Sequence, residues 1–314
     1  MKVVQVGAEN RLVLADAVEP QPQRNEALVR VKAISLNRGE VRRATSNASA
    51  GFRPGWDFAG VVEKAAQDGT GPKAGIRVVG LMQAGAWAEL LAARTDTIAA
   101  LPDAVSFAQA ACLPVAGLTA LHAVARRGDL IARKVLITGA SGGVGHFACQ
   151  LARIAGAHVI AAVRSEAHAG FARTLGAHDV AIVGDEPARA ATFGPYDLIL
   201  ESVGGASLTA SAKMLAPDGV CVALGVSAGA QATIDIAPLY FTGRASIYGL
   251  ALFHELARRE PASLGLARLS ALVAQGRLKV HVDVEKPWTA VDAVARDLIA
   301  RRYLGKAVLT LDPN

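Results

Sequence analysis

A glycine-rich segment near the middle of the chain has the residue types and spacing that bind a diphosphate. It reads TGASGGVG at residues 138–145 and follows the apolar run Lys134–Thr138, which predicts a β-strand. Glycines let the backbone turn tightly, so that free N–H groups at the start of the next helix can meet a pyrophosphate. Ala140 stands where the usual six-residue pattern has its first glycine. We predict a dinucleotide site whose cofactor contacts are Ala140, Ser141, Gly142, Gly143, Val144 and Gly145. The alternative is a plain strand-to-helix turn.

The residue that ends the second strand of this unit bears on which nicotinamide cofactor is bound. An acidic side chain there would hydrogen-bond a ribose 2′-hydroxyl and repel a 2′-phosphate. This chain has Arg164 followed by Ser165, which offer a guanidinium fork and a hydroxyl to a phosphate monoester. We therefore predict NADPH, with a solvated surface arginine as the alternative interpretation of Arg164.

The composition favours a folded enzyme with more than one domain. Its 314 residues exceed the roughly 100–200 expected per domain, and 52% apolar against 19% charged residues excludes a disordered protein. The net charge of +6 comes from Lys and Arg residues scattered along the chain, so it favours an anionic cofactor over a nucleic acid.

Two further features bear on where the protein works. No stretch approaches the roughly 18 uninterrupted apolar residues of a membrane span, and the N-terminus MKVVQVG lacks a signal-peptide core, so we expect a cytoplasmic protein without membrane partners. Cys112, Cys149 and Cys221 stand far apart and are interpreted as packing residues.

The elements around these residues predict two kinds of architecture. The N-terminal third has short strands of an antiparallel β region, predicted at Lys2–Val6, Arg11–Leu14, Ala27–Ile34, Phe58–Glu63 and Arg77–Leu81. From Leu118, helices alternate with apolar strands predicted at Lys134–Thr138, His158–Val163, Val180–Ile182, Leu198–Glu201, Gly219–Leu224 and Ser246–Tyr248. This alternation predicts a doubly wound parallel sheet. The last part is predicted as helix Ala262–Ala274, strand Val280–Val282, helix Ala290–Arg302 and strand Lys306–Leu311, the last rejoining the N-terminal domain.

An ordered series of motifs resembles the medium-chain dehydrogenase/reductases, and within them the zinc-free quinone oxidoreductase-like branch. The series is SLNRGEVRRA at 35–44, RPGWDFAGVV at 53–62, LPVAGLTALHA at 113–123, TGASGGVG at 138–145, LGAHDV at 175–180, ESVGG at 201–205 and GKAVLTL at 305–311. The resemblance implies an α/β protein with a GroES-like, mostly β catalytic domain (1–117 plus 250–314) and an NADPH-binding Rossmann domain (118–249). It also implies a homodimer joined near Ser246–Gly249.

The resemblance also implies chemistry without a metal. In the zinc-dependent branch a cysteine precedes the segment that here reads Asn37-Arg38-Gly39-Glu40, and a Gly-His-Glu motif stands where this chain has Gly55-Trp56-Asp57. Neither the thiolate nor the imidazole that zinc needs is available at these places. The zinc-free members reduce quinones or enones, whose electron-poor carbons accept hydride without a Lewis acid. We therefore expect no metal site and a quinone or α,β-unsaturated carbonyl as acceptor.

The catalytic candidates lie in the motifs that flank the nucleotide domain. Asn37 resembles the family asparagine beside the nicotinamide, and its alternative role is to satisfy turn backbone groups. Trp56 could wall the substrate pocket or fill the core. Arg38, Glu40, Arg42 and Arg43 depart from the family's usual Asn-x-x-Asp pattern, which bears on the substrate pocket, and Asp57 is interpreted as structural.

The remaining cofactor candidates come partly from the resemblance and partly from strand ends. Thr119 and Lys306 resemble family residues near the cofactor, against ordinary roles near a helix start and on the surface. Ser202, Leu224, Gly225 and Val226 follow predicted strands whose carboxyl ends face ligand in a doubly wound sheet. A second hypothesis keeps the fold but not the chemistry: a non-catalytic NADPH-binding sensor or structural protein, for which the 38–40 segment is the best support.

Overall fold

The chain divides into two compact units. The computed structural model describes residues 1–311, with the side chain of Asn47 left out. The first unit comprises Met1–Leu118 and Leu256–Asn314, and the second comprises Thr119–Glu255. Which unit is catalytic and which binds nucleotide stays a prediction at this point.

Over residues 1–311 the structure has fifteen strands and ten α-helices, joined by short 3₁₀ and π segments. The strands are β1 Lys2–Val6, β2 Leu12–Asp16, β3 Glu26–Ser35, β4 Asp57–Lys64, β5 Arg77–Leu81, β6 Leu90–Arg94, β7 Ile98–Ala100, β8 Lys134–Ile137, β9 His158–Val163, β10 Asp179–Ile182, β11 Tyr196–Glu201, β12 Leu215–Ala223, β13 Ser246–Gly249, β14 Val282–Pro287 and β15 Lys306–Thr310. The helices are α1 Arg38–Arg42, α2 Phe107–Ala111, α3 Leu118–Val124, α4 Gly145–Ile154, α5 Ala169–Thr174, α6 Ala206–Ala212, α7 Ala237–Thr242, α8 Leu252–Arg258, α9 Ala262–Ala274 and α10 Val291–Ile299.

The first unit is built on a mostly antiparallel sheet. Its order is β14-β15-β3-β4-β5-β7, and β6 also pairs with β3. The long strand β3 therefore joins the two chain ends, because β15 pairs with it antiparallel from Val308↔Ser35 to Thr310↔Ala33. The predicted return of the closing strand to the N-terminal domain is confirmed. The core of this unit holds Ile34, Phe58 and Trp87, all fully buried.

The second unit is a six-stranded parallel sheet in the order β10-β9-β8-β11-β12-β13. The chain starts in the middle at β8, winds outward to β10, and returns to wind outward through β11 to β13, as the doubly wound prediction requires. Strands β8 and β9 bury almost every residue because both faces of a parallel sheet are covered. The carboxyl ends of β9, β8, β11 and β12 are consequently neighbours along one edge.

One predicted strand is misplaced, and two observed strands were not predicted. The strand predicted at Val280–Val282 lies at Val282–Pro287, where it forms the sheet edge with mostly exposed side chains and so lacks the apolar pattern of a buried strand. Strands β6 and β7 were not predicted, because the sequence LLAAR has no alternation and IAA is only three residues long. In the described part of the chain, no helix has both the length and the apolar character needed to cross a bilayer.

Candidate functional site

The glycine-rich turn connects β8 to α4 through a backbone path that favours glycine at position 139 and requires it at position 145. Gly139 has φ +59°, in the left-handed region that favours glycine. A Cβ atom on Gly145 would lie 2.4 Å from the Gly139 carbonyl oxygen and 2.6 Å from the Ala140 Cα, which is closer than real Cβ atoms come. The first turn of α4 therefore packs directly on the end of β8. A hydrogen bond from the Gly142 N–H to the Gly139 oxygen, 2.9 Å, closes the turn.

Four N–H groups of this turn are free to meet a ligand. Among the described residues, no acceptor binds the backbone N–H of Ser141, Gly143, Val144 or Gly145. Of the six predicted contacts, Ala140 and Gly142 donate internally instead, the former to the Ala162 oxygen at 3.2 Å. The free groups lie at the N-terminus of α4, a helix of ten residues, where the helix dipole favours an anion. This is the geometry that a diphosphate needs.

A set of side-chain hydrogen bonds fixes the end of β8 to the end of β11. The Thr138 hydroxyl accepts the Ser202 N–H at 2.9 Å, and the Ser202 hydroxyl donates to the Thr138 oxygen at 2.9 Å. The fully buried Glu201 carboxylate accepts the N–H groups of Val203 (3.0 Å) and Gly204 (2.8 Å), and the Thr138 hydroxyl lies 3.2 Å from it. We call Thr138, Glu201 and Ser202 the strand-end clamp.

Ser202 was predicted as a cofactor contact, whereas Thr138 and Glu201 were missed. An acidic residue that directly follows a buried apolar run is the signal that could have marked Glu201, because a buried carboxylate needs several donors nearby. The clamp positions Ser202 beside the glycine-rich turn. A Cβ on Gly139 would lie 2.7 Å from the Ser202 Oγ atom.

The predicted residues Leu224, Gly225 and Val226 follow β12 at the same edge. The Leu224 N–H donates to the backbone carbonyl oxygen of Glu201 at 2.8 Å. A Cβ on Gly225 would lie 2.5 Å from the Ser202 oxygen, so glycine is needed for the loops after β11 and β12 to approach. The Val226 side chain is half exposed. The structure thus brings the residues after β8, β11 and β12 together.

Arg164 and Ser165 follow β9, which is next to β8 in the sheet. Arg164 donates to the Asp185 carboxylate at 3.0 Å, and both side chains are largely exposed, at 61% and 90%. Exposed ion pairs contribute little, about 0–1 kcal/mol, so this pair leaves Arg164 able to turn toward another anion. Ser165 precedes the short segment Glu166–His168 without a side-chain capping bond. Thr119, the last candidate of this unit, is buried as the second residue of α3.

In the first unit the structure gathers Asn37, Asp57 and Lys306 into one buried polar network. Lys306 is 2% exposed, and its ammonium donates to the Asn37 Oδ1 atom (2.6 Å), the Leu36 oxygen (3.0 Å) and the Asp57 carboxylate (3.4 Å). The Asn37 amide donates in turn to Asp57 at 2.7 Å. Asp57 also accepts the Val115 N–H at 2.9 Å. The predicted structural role of Asp57 fits this geometry, and all three protons of Lys306 have acceptors within the unit.

Glu40 adds a second carboxylate to the network. Its Oε1 atom accepts both the backbone N–H (2.7 Å) and the side-chain amide (2.9 Å) of Asn37, so the acid at the fourth position of Asn37–Glu40 closes the first turn of α1. The Oε2 atom is buried and has no hydrogen-bond partner among the residues that the structure describes. Burial, followed by the nearby Asp57 charge, raises the pKa of Glu40 well above its usual value, and burial also raises the pKa of Asp57 against the charge of Lys306.

Trp56 lies at the edge of the same unit. Its indole N–H donates to the Gln83 oxygen at 2.9 Å, and its backbone oxygen accepts the Met82 N–H at 2.8 Å. A Cβ on Gly39 would come within 3.1 Å of the Trp56 ring, so α1 packs tightly against the indole at this point. The side chain is partly exposed, which suits a pocket wall better than a core position.

The thiols and the other possible metal ligands are dispersed. Within residues 1–311, no group of three or more His, Cys, Asp or Glu side chains could hold a metal ion. Cys112, Cys149 and Cys221 are fully buried, and burial raises the pKa of Cys112 and of Cys149 to about 12. These thiols therefore stay protonated at neutral pH and pack as apolar groups.

Comparison with known proteins places both units in one family. The model of the alcohol dehydrogenase GroES-like domain matches residues 23–103, and that of zinc-binding dehydrogenase matches residues 143–267. Quinone oxidoreductase of Rattus norvegicus is 29% identical over 329 residues, covering 99% of this chain and 97% of the relative. Two solved structures complexed with NADPH are each 26% identical: Escherichia coli quinone oxidoreductase (TM-score 0.86, 98% of each chain covered) and a mycobacterial protein (TM-score 0.87, 99% of each). The chain belongs to the medium-chain dehydrogenase/reductase family, as a quinone oxidoreductase-like member.

Proposed function

We propose that this chain is an NADPH-dependent oxidoreductase that transfers hydride, without zinc, to a quinone or an α,β-unsaturated carbonyl. The observation that carries the proposal is the set of four free N–H groups at the glycine-rich turn, Ser141, Gly143, Val144 and Gly145. It is supported by the quinone oxidoreductase relatives and by the solved neighbours that hold NADPH.

The preference for NADPH over NADH rests on Arg164 and Ser165. They follow β9, which lies beside β8, the strand that leads into the glycine-rich turn. Arg164 would exchange its exposed partner Asp185 for the 2′-phosphate, which is a stronger partner because it carries more charge and more acceptor oxygens.

Zinc independence rests on the chemistry of the side chains. Catalytic zinc sites in proteins use three ligands from Cys, His, Asp or Glu. Trp56 stands where the zinc-dependent branch has its histidine, and the branch's cysteine would precede the segment that begins at Asn37. Asp57 and Glu40 are engaged by buried donors in the Lys306 network. The residues of this site therefore serve an acceptor that needs no Lewis acid.

The residues of the chain then have distinct tasks. Bound NADPH supplies the hydride. The glycine-rich turn binds the diphosphate, Arg164 binds the 2′-phosphate, and the clamp residue Ser202 borders the turn. Trp56 offers a flat wall to a planar acceptor. Asn37 is engaged through both ends of its amide, so it acts as a positioning residue at the start of α1 rather than as a proton donor. A proton from water completes the two-electron reduction.

The proposal is tested by following NADPH absorbance with a panel of quinones and enones. We expect consumption with at least one acceptor, and no change in rate after treatment with a zinc chelator. In parallel, dissociation constants for NADPH and NADH are measured in wild type and Arg164→Ala, with Arg173→Ala as an exposed control. The variant should lose most of the preference for NADPH, while the control keeps it.

Three outcomes contradict parts of the proposal. Tight NADPH binding without consumption favours the non-catalytic sensor, an unchanged preference in Arg164→Ala removes the role of Arg164, and loss of activity on chelation removes zinc independence.

A homodimer formed through β13 is a second part of the proposal. Strand β13 is the last strand of its sheet, so its outer edge has backbone groups available for pairing. The side chains of Tyr240 and Phe241, at the end of α7 shortly before this strand, are 75% and 90% exposed. Light scattering should give twice the chain mass, and a monomer would contradict this part. The cytoplasmic location stays a prediction.

A further inference from the structure

A pocket of about 360 Å³ lies in the first unit, beside the segment that anchors Trp56. Its walls come from the 82–85 loop, from the start of β6 and from Pro20, with Arg53 among them. Met82, Leu90 and Leu91 are the large apolar side chains of the lining. None of the lining residues carries a negative charge.

Arg53 is the unusual member of this lining. Its side chain is part-buried, and its Nε atom is buried without a hydrogen-bond acceptor. Among residues 1–311 it has no ion-pair partner or other hydrogen bond. The buried Nε atom is therefore a donor without an acceptor among the described residues, and an anion in the pocket could satisfy it together with the rest of the guanidinium.

The surroundings add positive charge and rigidity to this position. Phe52 directly precedes Arg53 in the chain. The Arg43 guanidinium lies over the Phe52 ring, 4.8 Å from its centre. The Phe52 oxygen accepts the Val6 N–H at 2.9 Å, and the Gly55 oxygen accepts the Ala86 N–H at 3.0 Å. The backbone on both sides of Arg53 is therefore held in place, which fixes the point from which its side chain reaches the pocket.

The pocket shares a wall with the predicted acceptor site. Met82 and Ala84 line it, and between them Gln83 accepts the Trp56 indole N–H at 2.9 Å. A planar group against Trp56 and a chain extending into the pocket would thus both lie beside the 82–85 loop.

We propose that this pocket binds the anionic end of the acceptor, so that the substrate is an enone or quinone whose apolar chain carries a carboxylate paired with Arg53. This deepens the proposed function and rests on it. The apolar walls accommodate the chain, and the guanidinium fork matches the two oxygens of a carboxylate.

Calorimetry with octanoate and octan-1-ol tests the pocket without any turnover. Both probes are titrated into the full-length protein as wild type, Arg53→Gln and Met82→Trp, with Arg24→Gln as an exposed arginine control. We expect octanoate to bind wild type and the control equally and to bind Arg53→Gln about tenfold more weakly or worse, as for the loss of a charge-assisted pair. Met82→Trp should abolish binding by filling the pocket. Octan-1-ol should be insensitive to Arg53→Gln.

Turnover supplies the second arm. An ω-carboxyalkyl benzoquinone and its methyl ester are compared as acceptors, with NADPH as the hydride donor. Arg53→Gln should raise KM for the acid alone while kcat is unchanged. Equal octanoate affinity in wild type and Arg53→Gln, or an unchanged KM for the acid, overturns the proposal even if the enzyme reduces quinones. Octanoate binding that depends on Arg53, in a protein that reduces no acceptor, instead removes the proposed function and with it the identification of the ligand as the acceptor.

Discussion

Replacing Lys306 by methionine should destabilise the first unit strongly. Among the described residues, Lys306 is the only cationic side chain that contacts the polar network of Asn37, Glu40 and Asp57. Its replacement leaves the fully buried Asp57 carboxylate facing an apolar side chain. Breaking a buried ion pair from one side costs about 3–5 kcal/mol. The lower end applies here, because Asp57 keeps the amide of Asn37 and the Val115 N–H as donors and its direct distance to Lys306 is 3.4 Å.

The loss is measured by thermal unfolding followed by circular dichroism. A cost of about 3 kcal/mol corresponds to roughly 6–12 °C in Tm for a domain of about 150–250 residues. Lys73→Met, at an exposed lysine, should stay within about 0.5 kcal/mol of wild type. In the double variant Lys306→Met/Asp57→Asn, the second change removes the unpaired charge. The double variant's loss in free energy of unfolding should therefore be smaller, by at least about 1 kcal/mol, than the sum of the losses in the two single variants. A single-variant loss under about 1 kcal/mol, or strict additivity, would refute the reasoning.

Two further predictions concern Glu40 and the glycine-rich turn. The folded-state pKa of Glu40 is raised, so the folded protein holds more protons than the unfolded chain, and this group's contribution to stability falls as pH rises from its unfolded pKa toward its folded one. Glu40→Gln should therefore gain stability relative to wild type as pH rises above about 4, the usual pKa of an unfolded glutamate, and parallel profiles in urea unfolding would contradict this. Gly145→Ala places a Cβ 2.4 Å from the Gly139 oxygen and should weaken NADPH binding at least about tenfold by displacing the turn. Gly170→Ala, with open space around its Cβ position, is the matched control. Equal NADPH affinities of Gly145→Ala and the control in calorimetry would contradict the proposed role of the glycine-rich turn.

The sequence predicted the parts of the fold in which pattern and burial agree. Strands β1 and β9 were predicted at their observed bounds, since apolar runs between glycines and polar residues are buried as strands in both units. Strand β14 was misplaced because an edge strand has no apolar requirement on its exposed positions. Helix α9 was predicted with its observed bounds.

The candidate site divides in the same way. The glycine-rich turn is local, so residue spacing alone indicated where its N–H groups would lie. The network around Lys306 joins residues that are up to 270 positions apart, and no pattern in a single sequence pairs a lysine near one chain end with Asn37 near the other. Lys306 was predicted as a cofactor contact from resemblance, and that stays a prediction, whereas its observed partners are Leu36, Asn37 and Asp57. Arg53 carried no signal, because an arginine in a loop is usually solvated.

The strand-end clamp has a consequence for how cofactor preference can change. Thr138, Glu201 and Ser202 connect the ends of β8 and β11 beside the glycine-rich turn, while Arg164 stands after β9 and takes no part in these contacts. Under the proposed roles, a substitution at position 164 should change the preference between the two pyridine nucleotides without disturbing the turn proposed to bind their shared diphosphate. The two proposed contacts could then be altered separately.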